Sequence, residues 1–140
     1  QSGPMDNLYR DFILEHYRNP HNKGFLDPHD LHFDDSNPTC GDEMSMTLRL
    51  DPGGETITDV GFDGRGCAIS QASASILTDG LRGQSLDQVR AMNPKDLLDE
   101  LGVPIGPARL KCALLSYKVL QGAVRGGEFD WPAEAEAMTG

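Results

Sequence analysis

Three cysteines, Cys40, Cys67 and Cys112, and one aspartate close to the first of them, Asp42, offer the most distinctive chemistry in this chain. A thiolate is both a nucleophile and a soft metal ligand, whereas a carboxylate is harder and exchanges more readily. Three thiolates and one carboxylate make a tetrahedral set for zinc, or one side of an iron–sulfur cluster. Asp42 stands two residues after Cys40, so both can reach one point if the turn between them curls. The intervals between the cysteines match no local metal motif, and there is no Cys-x-x-Cys pair. On the residues alone two readings stand: shared ligation, or three unrelated buried cysteines packing as small hydrophobes. The four histidines, His16, His21, His29 and His32, read as surface or loop, because none is spaced with a cysteine as in local metal sites.

The elements that must position these groups follow from periodicity. Cys67 lies in Gly64-Arg65-Gly66-Cys67-Ala68-Ile69-Ser70, between an alternating stretch (Thr56, Thr58, Val60, Phe62) and a helical one (Ile69, Ala72, Ile76, Leu77). A glycine-rich elbow of this kind lets the backbone turn tightly, and a helix start favours a thiolate. Cys40 falls in the turn Asn37-Pro38-Thr39-Cys40-Gly41-Asp42, just before a half-buried strand carrying Met44, Met46, Leu48 and Leu50. Cys112 falls in the first two turns of a long helix that opens at Pro107 and ends at Gly126-Gly127, with Leu110, Ala113, Leu114, Tyr117 and Leu120 as its stripe.

The remaining chain supplies the frame. Met5 to Arg18 reads as a first helix, capped by Asp6, with Leu8, Tyr9, Phe12, Ile13 and Tyr17 on its apolar side. Asn19-Pro20 stops it, residues 19–30 form a loop, and Leu31 and Phe33 mark a short first strand. Asp51-Pro52-Gly53-Gly54 is a tight reversal, and the helix after the elbow runs from Ala68 to about Leu81. Ser85 and Gln88 have capping-box spacing, Asn93-Pro94 starts another short helix, and Gly102 closes it. The short connections imply a three-stranded antiparallel sheet packed against helices, an α+β fold.

Composition narrows the function. The chain has 140 residues, enough for one domain with a core, and a formal net charge of −10, which argues against nucleic acid or an anionic membrane as partner. No stretch is long and apolar enough to span a membrane, and no export signal is visible. With an odd number of widely spaced cysteines, a reducing cytoplasm is the expected location. Residues 1–4 read as a cloning remnant, 5–127 as a single domain, and 128–140 as an acidic flexible tail in which Phe129 and Trp131 can dock.

Three segments, Asn37–Asp42, Gly64–Ser70 running into Ala72-Ser73-Ala74-Ser75, and Pro107-Ala108-Arg109-Leu110-Lys111-Cys112-Ala113, resemble in sequence and order the signature segments of the iron–sulfur cluster scaffold family: SufU, IscU and the N-terminal domain of NifU. The early Leu8, Tyr9, Asp11, His16, Tyr17 and Asn19-Pro20 extend the likeness over nearly the whole chain from Met5 to about Val124. The resemblance implies a site at one end of the fold, with Cys40, Asp42, Cys67 and Cys112 as ligands to zinc or to a [2Fe–2S] cluster. It implies a cysteine desulfurase (SufS-like) as sulfur donor, and downstream iron–sulfur apo-proteins or carriers as recipients.

Within the family, the residue before the third cysteine separates a histidine branch, IscU, from a lysine branch, SufU; here it is Lys111. The interval between Cys67 and Cys112 is shorter than SufU-type proteins usually carry. Ile105-Gly106-Pro107-Ala108-Arg109 replaces the Leu-Pro-Pro-Val-Lys by which IscU-type scaffolds engage a dedicated chaperone, so that chaperone is not expected as a partner. The expected function is a zinc-dependent sulfur carrier rather than a stand-alone enzyme. The alternatives are an IscU-type [2Fe–2S] scaffold and, from another class, a structural zinc-binding interaction domain. Cys40, beside the mobile backbone of Gly41, is the expected sulfur acceptor, with Arg109 and Lys111 holding the partner's acidic or persulfide-bearing face.

Overall fold

The computed structural model describes residues 4–37, 41–102 and 105–127, with backbone alone at 4–9 and 107–108. The order is α1 (Pro4–Arg18), β1 (Leu31–Asn37), β2 (Asp42–Leu50), β3 (Ile57–Arg65), α2 (Ala68–Asp79), α3 (Leu86–Arg90), α4 (Pro94–Leu101) and α5 (Pro107–Arg125). The strands form one antiparallel sheet in the order β1-β2-β3, and the fold is α+β as expected. The acidic tail lies outside the described residues.

Pairing follows the apolar alternation. Leu31 stands opposite Leu48, Phe33 opposite Met46 and Asn37 opposite Asp42; on the other side Leu48 faces Val60 and Glu43 faces Arg65. Met44, Met46, Leu48, Val60 and Phe62 are all buried, so the alternating methionines are core. β1 is longer than the Leu31/Phe33 pair suggests, because polar residues continue the alternation: His32, Asp34 and Ser36 are exposed, while Asp35 turns inward to pair with Lys118 of α5.

α5 packs against β1 and β2 on one side and against α2, α3 and α4 on others. It is buried almost all round from Cys112 to Val124, not on one stripe. Two of its polar residues find partners there: Gln121 Nε2 donates to the Val89 carbonyl at 2.7 Å, and Tyr117 Oη to that of Met92 at 2.8 Å. Gly122 lacks the Cβ that would strike the Phe33 ring, so α5 can lie close on β1.

The helix ends follow their capping residues. Ser85 and Gln88 form a capping box, Asn93 caps α4, and Gly102 and Gly126 close α4 and α5 in the left-handed region at φ 73° and 77°. α2 ends at Asp79, two residues short of the expected Leu81. α1 begins at Pro4, which places Asp6 in the first turn rather than at the cap. Phe12 and Tyr17 are exposed, against expectation; among the described side chains of α1, Ile13 and His16 are the buried ones where it rests on α2.

The loop between α1 and β1 straps the outer edge of β3. Gly24 N–H donates to the Phe62 carbonyl at 2.7 Å, and Phe62 N–H to that of Asn22 at 2.9 Å. Further along the same edge, Gly83 N–H donates to the Ile57 carbonyl and Ile57 N–H to that of Gln84. Among the described residues no helix is long and apolar enough to cross a membrane.

Candidate metal centre

The centre forms where the start of β2, the β3–α2 elbow and the second turn of α5 meet. Ligand atoms of Asp42, Cys67 and Cys112 lie within 4.8 Å of one another. Asp42 is the first residue of β2 and is buried, Cys112 is buried, and Cys67 is half-buried. The structure thus joins three of the four residues that the sequence singles out. Cys40 lies outside the described residues; Gly41, which links it to Asp42, has φ 74° and donates its N–H to the Asn37 carbonyl at 2.9 Å.

Each glycine of the elbow serves a different close approach. Gly64, at φ 148°, stands opposite Met44, and a side chain there would strike the Glu43 carbonyl. Gly66 faces the Asp42 carboxylate, and a Cβ would run into that carboxylate and into Ser70 Oγ. Cys67 then caps α2 in extended conformation, and its N–H donates to Asp42 Oδ1 at 3.1 Å. Ser70 Oγ donates to the Cys67 carbonyl at 3.0 Å, which fixes the first turn. Cys67 therefore has the helix-start position expected of it. Cys112 is the sixth residue of α5, beyond the first-turn N–H groups, and owes its place to burial.

The donor set suits a thiophilic ion. Two sulfurs and a carboxylate oxygen converge from three rigid elements, and zinc accepts thiolate and carboxylate in tetrahedral sites. Lys111 is half-buried beside Cys112, and Arg109 is exposed on the first turn of α5.

Charge around the elbow is divided. A cavity of about 450 Å³ is lined by Arg18, Lys23, Arg65, Gly66 and Gln71 among others. Lys23 Nζ donates to Gln71 Oε1 at 3.1 Å and lies 3.4 Å from the Gly64 carbonyl. Asp34, Asp35, Glu43 and Asp63 line a separate cavity of about 620 Å³ that also reaches Gly64. Arg18, Lys23 and Arg65 were not singled out in the sequence, because they lie far apart in the chain and the acidic total conceals a local cationic group.

The chain is similar to known proteins over most of its length. Residues 8–128 match the family described as the NifU-like N terminal domain. The chain is 39% identical to the zinc-dependent sulfurtransferase SufU of Bacillus subtilis, over 86% of this chain and 91% of that protein. It is 30% identical to the iron–sulfur cluster assembly scaffold protein IscU of Escherichia coli, over 92% and 98%. The crystal structure of a putative iron–sulfur cluster assembly scaffold protein for the SUF system from Fervidobacterium islandicum superposes with a TM-score of 0.64 at 26% identity, covering 81% of this chain and 94% of that one.

Proposed function

This chain belongs to the NifU-like N-terminal domain family, and from that premise we propose that it is a zinc-dependent sulfur carrier of iron–sulfur cluster assembly. The convergence of Asp42, Cys67 and Cys112 carries the reading, and Cys40 completes the proposed ligand set. Zinc, when bound, keeps the cysteines as thiolates near neutral pH. A cysteine desulfurase is the proposed donor, and iron–sulfur apo-proteins or carriers are the proposed recipients.

The chain's own residues then define the transfer. The Cys40 thiolate attacks the outer sulfur of the donor's persulfide. The sulfur–sulfur bond of the donor breaks, its cysteine leaves as a thiolate, and Cys40 holds the sulfur as a new persulfide. No net oxidant or reductant is needed. Gly41, at φ 74°, is the proposed pivot for Cys40, while Cys67 and Cys112 sit on helices. Arg109 and Lys111 are proposed to meet the partner's acidic face, with Arg18, Lys23 and Arg65, which line the cavity at Gly66, as further cationic contacts.

The test is incubation with a cysteine desulfurase and cysteine, followed by peptide mass spectrometry. The added sulfur is expected on Cys40 and lost in Cys40→Ser. Modification mainly on Cys112, or undiminished uptake in Cys40→Ser, refutes the assignment. A [2Fe–2S] scaffold is the second reading, favoured by the similarity to IscU over nearly its whole length. Anaerobic purification followed by iron analysis and absorption spectroscopy separates the two.

A further inference from the structure

A second set of metal donors lies at the far end of α2. His16 of α1, His21 of the following loop and Asp79, the last residue of α2, place one ligand atom each within 4.8 Å of the others. Cys67 caps the start of α2 and Asp79 ends it, so the two donor sets are about 18 Å apart at a helical rise of about 1.5 Å per residue. They share no residue.

The donors are oriented by neighbours. His16 is buried, 6% exposed, and its Nδ1 lies 2.7 Å from Ser75 Oγ. The same Ser75 hydroxyl accepts the backbone N–H of His21 at 2.8 Å, so it fixes both histidines. Their rings lie with centroids 4.7 Å apart. Asp79 Oδ1 accepts from Asn22 Nδ2 at 3.3 Å, and Oδ2 lies 2.6 Å from His21 Nδ1. Such outer hydrogen bonds are what orient ligands in metal sites. Side-chain exposures of 52% for His21 and 45% for Asp79 leave the site open to an entering ion and to water.

We propose that His16, His21 and Asp79 form a second site, for a divalent first-row metal ion, independent of the cysteine centre. Two imidazoles and one carboxylate with open positions suit Fe²⁺ or Zn²⁺ and offer no thiolate to a softer ion. Two ligand atoms on one such ion stand about 3.3 Å apart at bond lengths of about 2.0 Å, so His21 and Asp79 separate slightly to admit it. Both are half-exposed and at the end of a helix or in a loop, where that movement meets little resistance. Occupancy ties α1, the loop and α2 through one ion.

The test uses the full chain already loaded with one zinc per molecule. Titration with Co²⁺ is expected to show a second equivalent with ligand-field bands and no sulfur-to-metal charge-transfer band. His21→Ala and Asp79→Asn, both at half-exposed positions, are expected to weaken that equivalent at least about 10-fold while the first zinc stays bound. Competition by Zn²⁺, and by Fe²⁺ without oxygen, identifies which ion the site prefers. Absence of a second equivalent overturns the proposal. So does a second equivalent that survives both substitutions, which marks adventitious surface binding. Variants that lower Tm without changing metal uptake reduce the cluster to a structural hydrogen-bond network and also overturn it. Because the first zinc is scored separately, none of these results bears on the cysteine centre.

Discussion

The backbone N–H of Cys67 donates to Asp42 Oδ1 at 3.1 Å, across 25 residues of sequence. One carboxylate thus faces the candidate centre and anchors the elbow that presents a cysteine to it. Ligand placement and backbone geometry are coupled through a single side chain, and substitutions of different kinds can separate them.

Asp42→Asn keeps an oxygen that can accept from Cys67 N–H, whereas Asp42→Ala removes it. The alanine variant is expected to lose about 1–3 kcal/mol of stability, because a hydrogen-bond donor beside a buried carboxylate is left unpaired. The asparagine variant should lose clearly less. Both should keep most of the metal or cluster and pass it on more slowly, since the exchangeable ligand is gone. Urea unfolding and a transfer assay to an apo-protein measure the two effects; transfer at the wild-type rate in both variants would remove Asp42 from the release step.

Gly66→Ala tests the close approach itself. Its Cβ would collide with the Asp42 carboxylate and Ser70 Oγ, so these groups must be displaced or the elbow must shift, and either change disturbs the Asp42 carboxylate at the candidate centre. Metal affinity is expected to fall at least about 10-fold, as when outer-shell support is lost. Chelator competition measures it, and Gly106→Ala, where an added Cβ meets nothing within 4 Å, is the control.

Metal removal should destabilise the whole domain. About one zinc per chain is expected after aerobic purification, and Cys67→Ser should reduce it. At free zinc about 100 times Kd, binding contributes about 2.7 kcal/mol, equivalent to about 10 °C in Tm. Calorimetry before and after a chelator gives the answer. An unchanged Tm after verified removal would show the centre to be decoupled from the core.

Lys118 and Asp35 join α5 to β1 with side-chain exposures of 9% and 19%. Asp35→Ala leaves the ammonium group in a largely buried place and should cost about 1–3 kcal/mol. Adding Lys118→Met should recover part of that loss, because a largely buried charge deprived of this carboxylate costs more than an apolar side chain of similar length. A double-mutant cycle in urea measures the coupling; independent, additive losses would show that the pair contributes nothing as a pair.

Local rules made much of this fold legible. The Asp51–Gly54 reversal, the Ser85–Gln88 box and the closing glycines Gly102 and Gly126 act over a few residues each, so sequence reveals them. Asp35 concealed half of β1, because an inward acid looks like loop until Lys118, 83 residues later, is seen opposite it. The candidate metal ligands were legible as residue types in marked surroundings, but not the hydrogen bond from Cys67 to Asp42, which exists only once the elbow meets β2. His16 and His21 read as surface and loop for the same reason. Their partners Ser75 and Asp79 lie on another helix, and no spacing rule reaches that far.

The strap formed by residues 22–24 bears on how the protein behaves in bulk. An open sheet edge is a template on which a second molecule can add a strand, the first step toward fibrils. Here the outer edge of β3 has its hydrogen bonds taken up by Asn22 and Gly24 at Phe62, and by Gly83 and Gln84 at Ile57. Gly61 permits the closure, since a Cβ there would strike the Gly24 carbonyl. Substitution at Gly61 is expected to lift the strap and expose that edge, so a glycine that is itself no metal ligand would bear on whether the protein stays dispersed at high concentration.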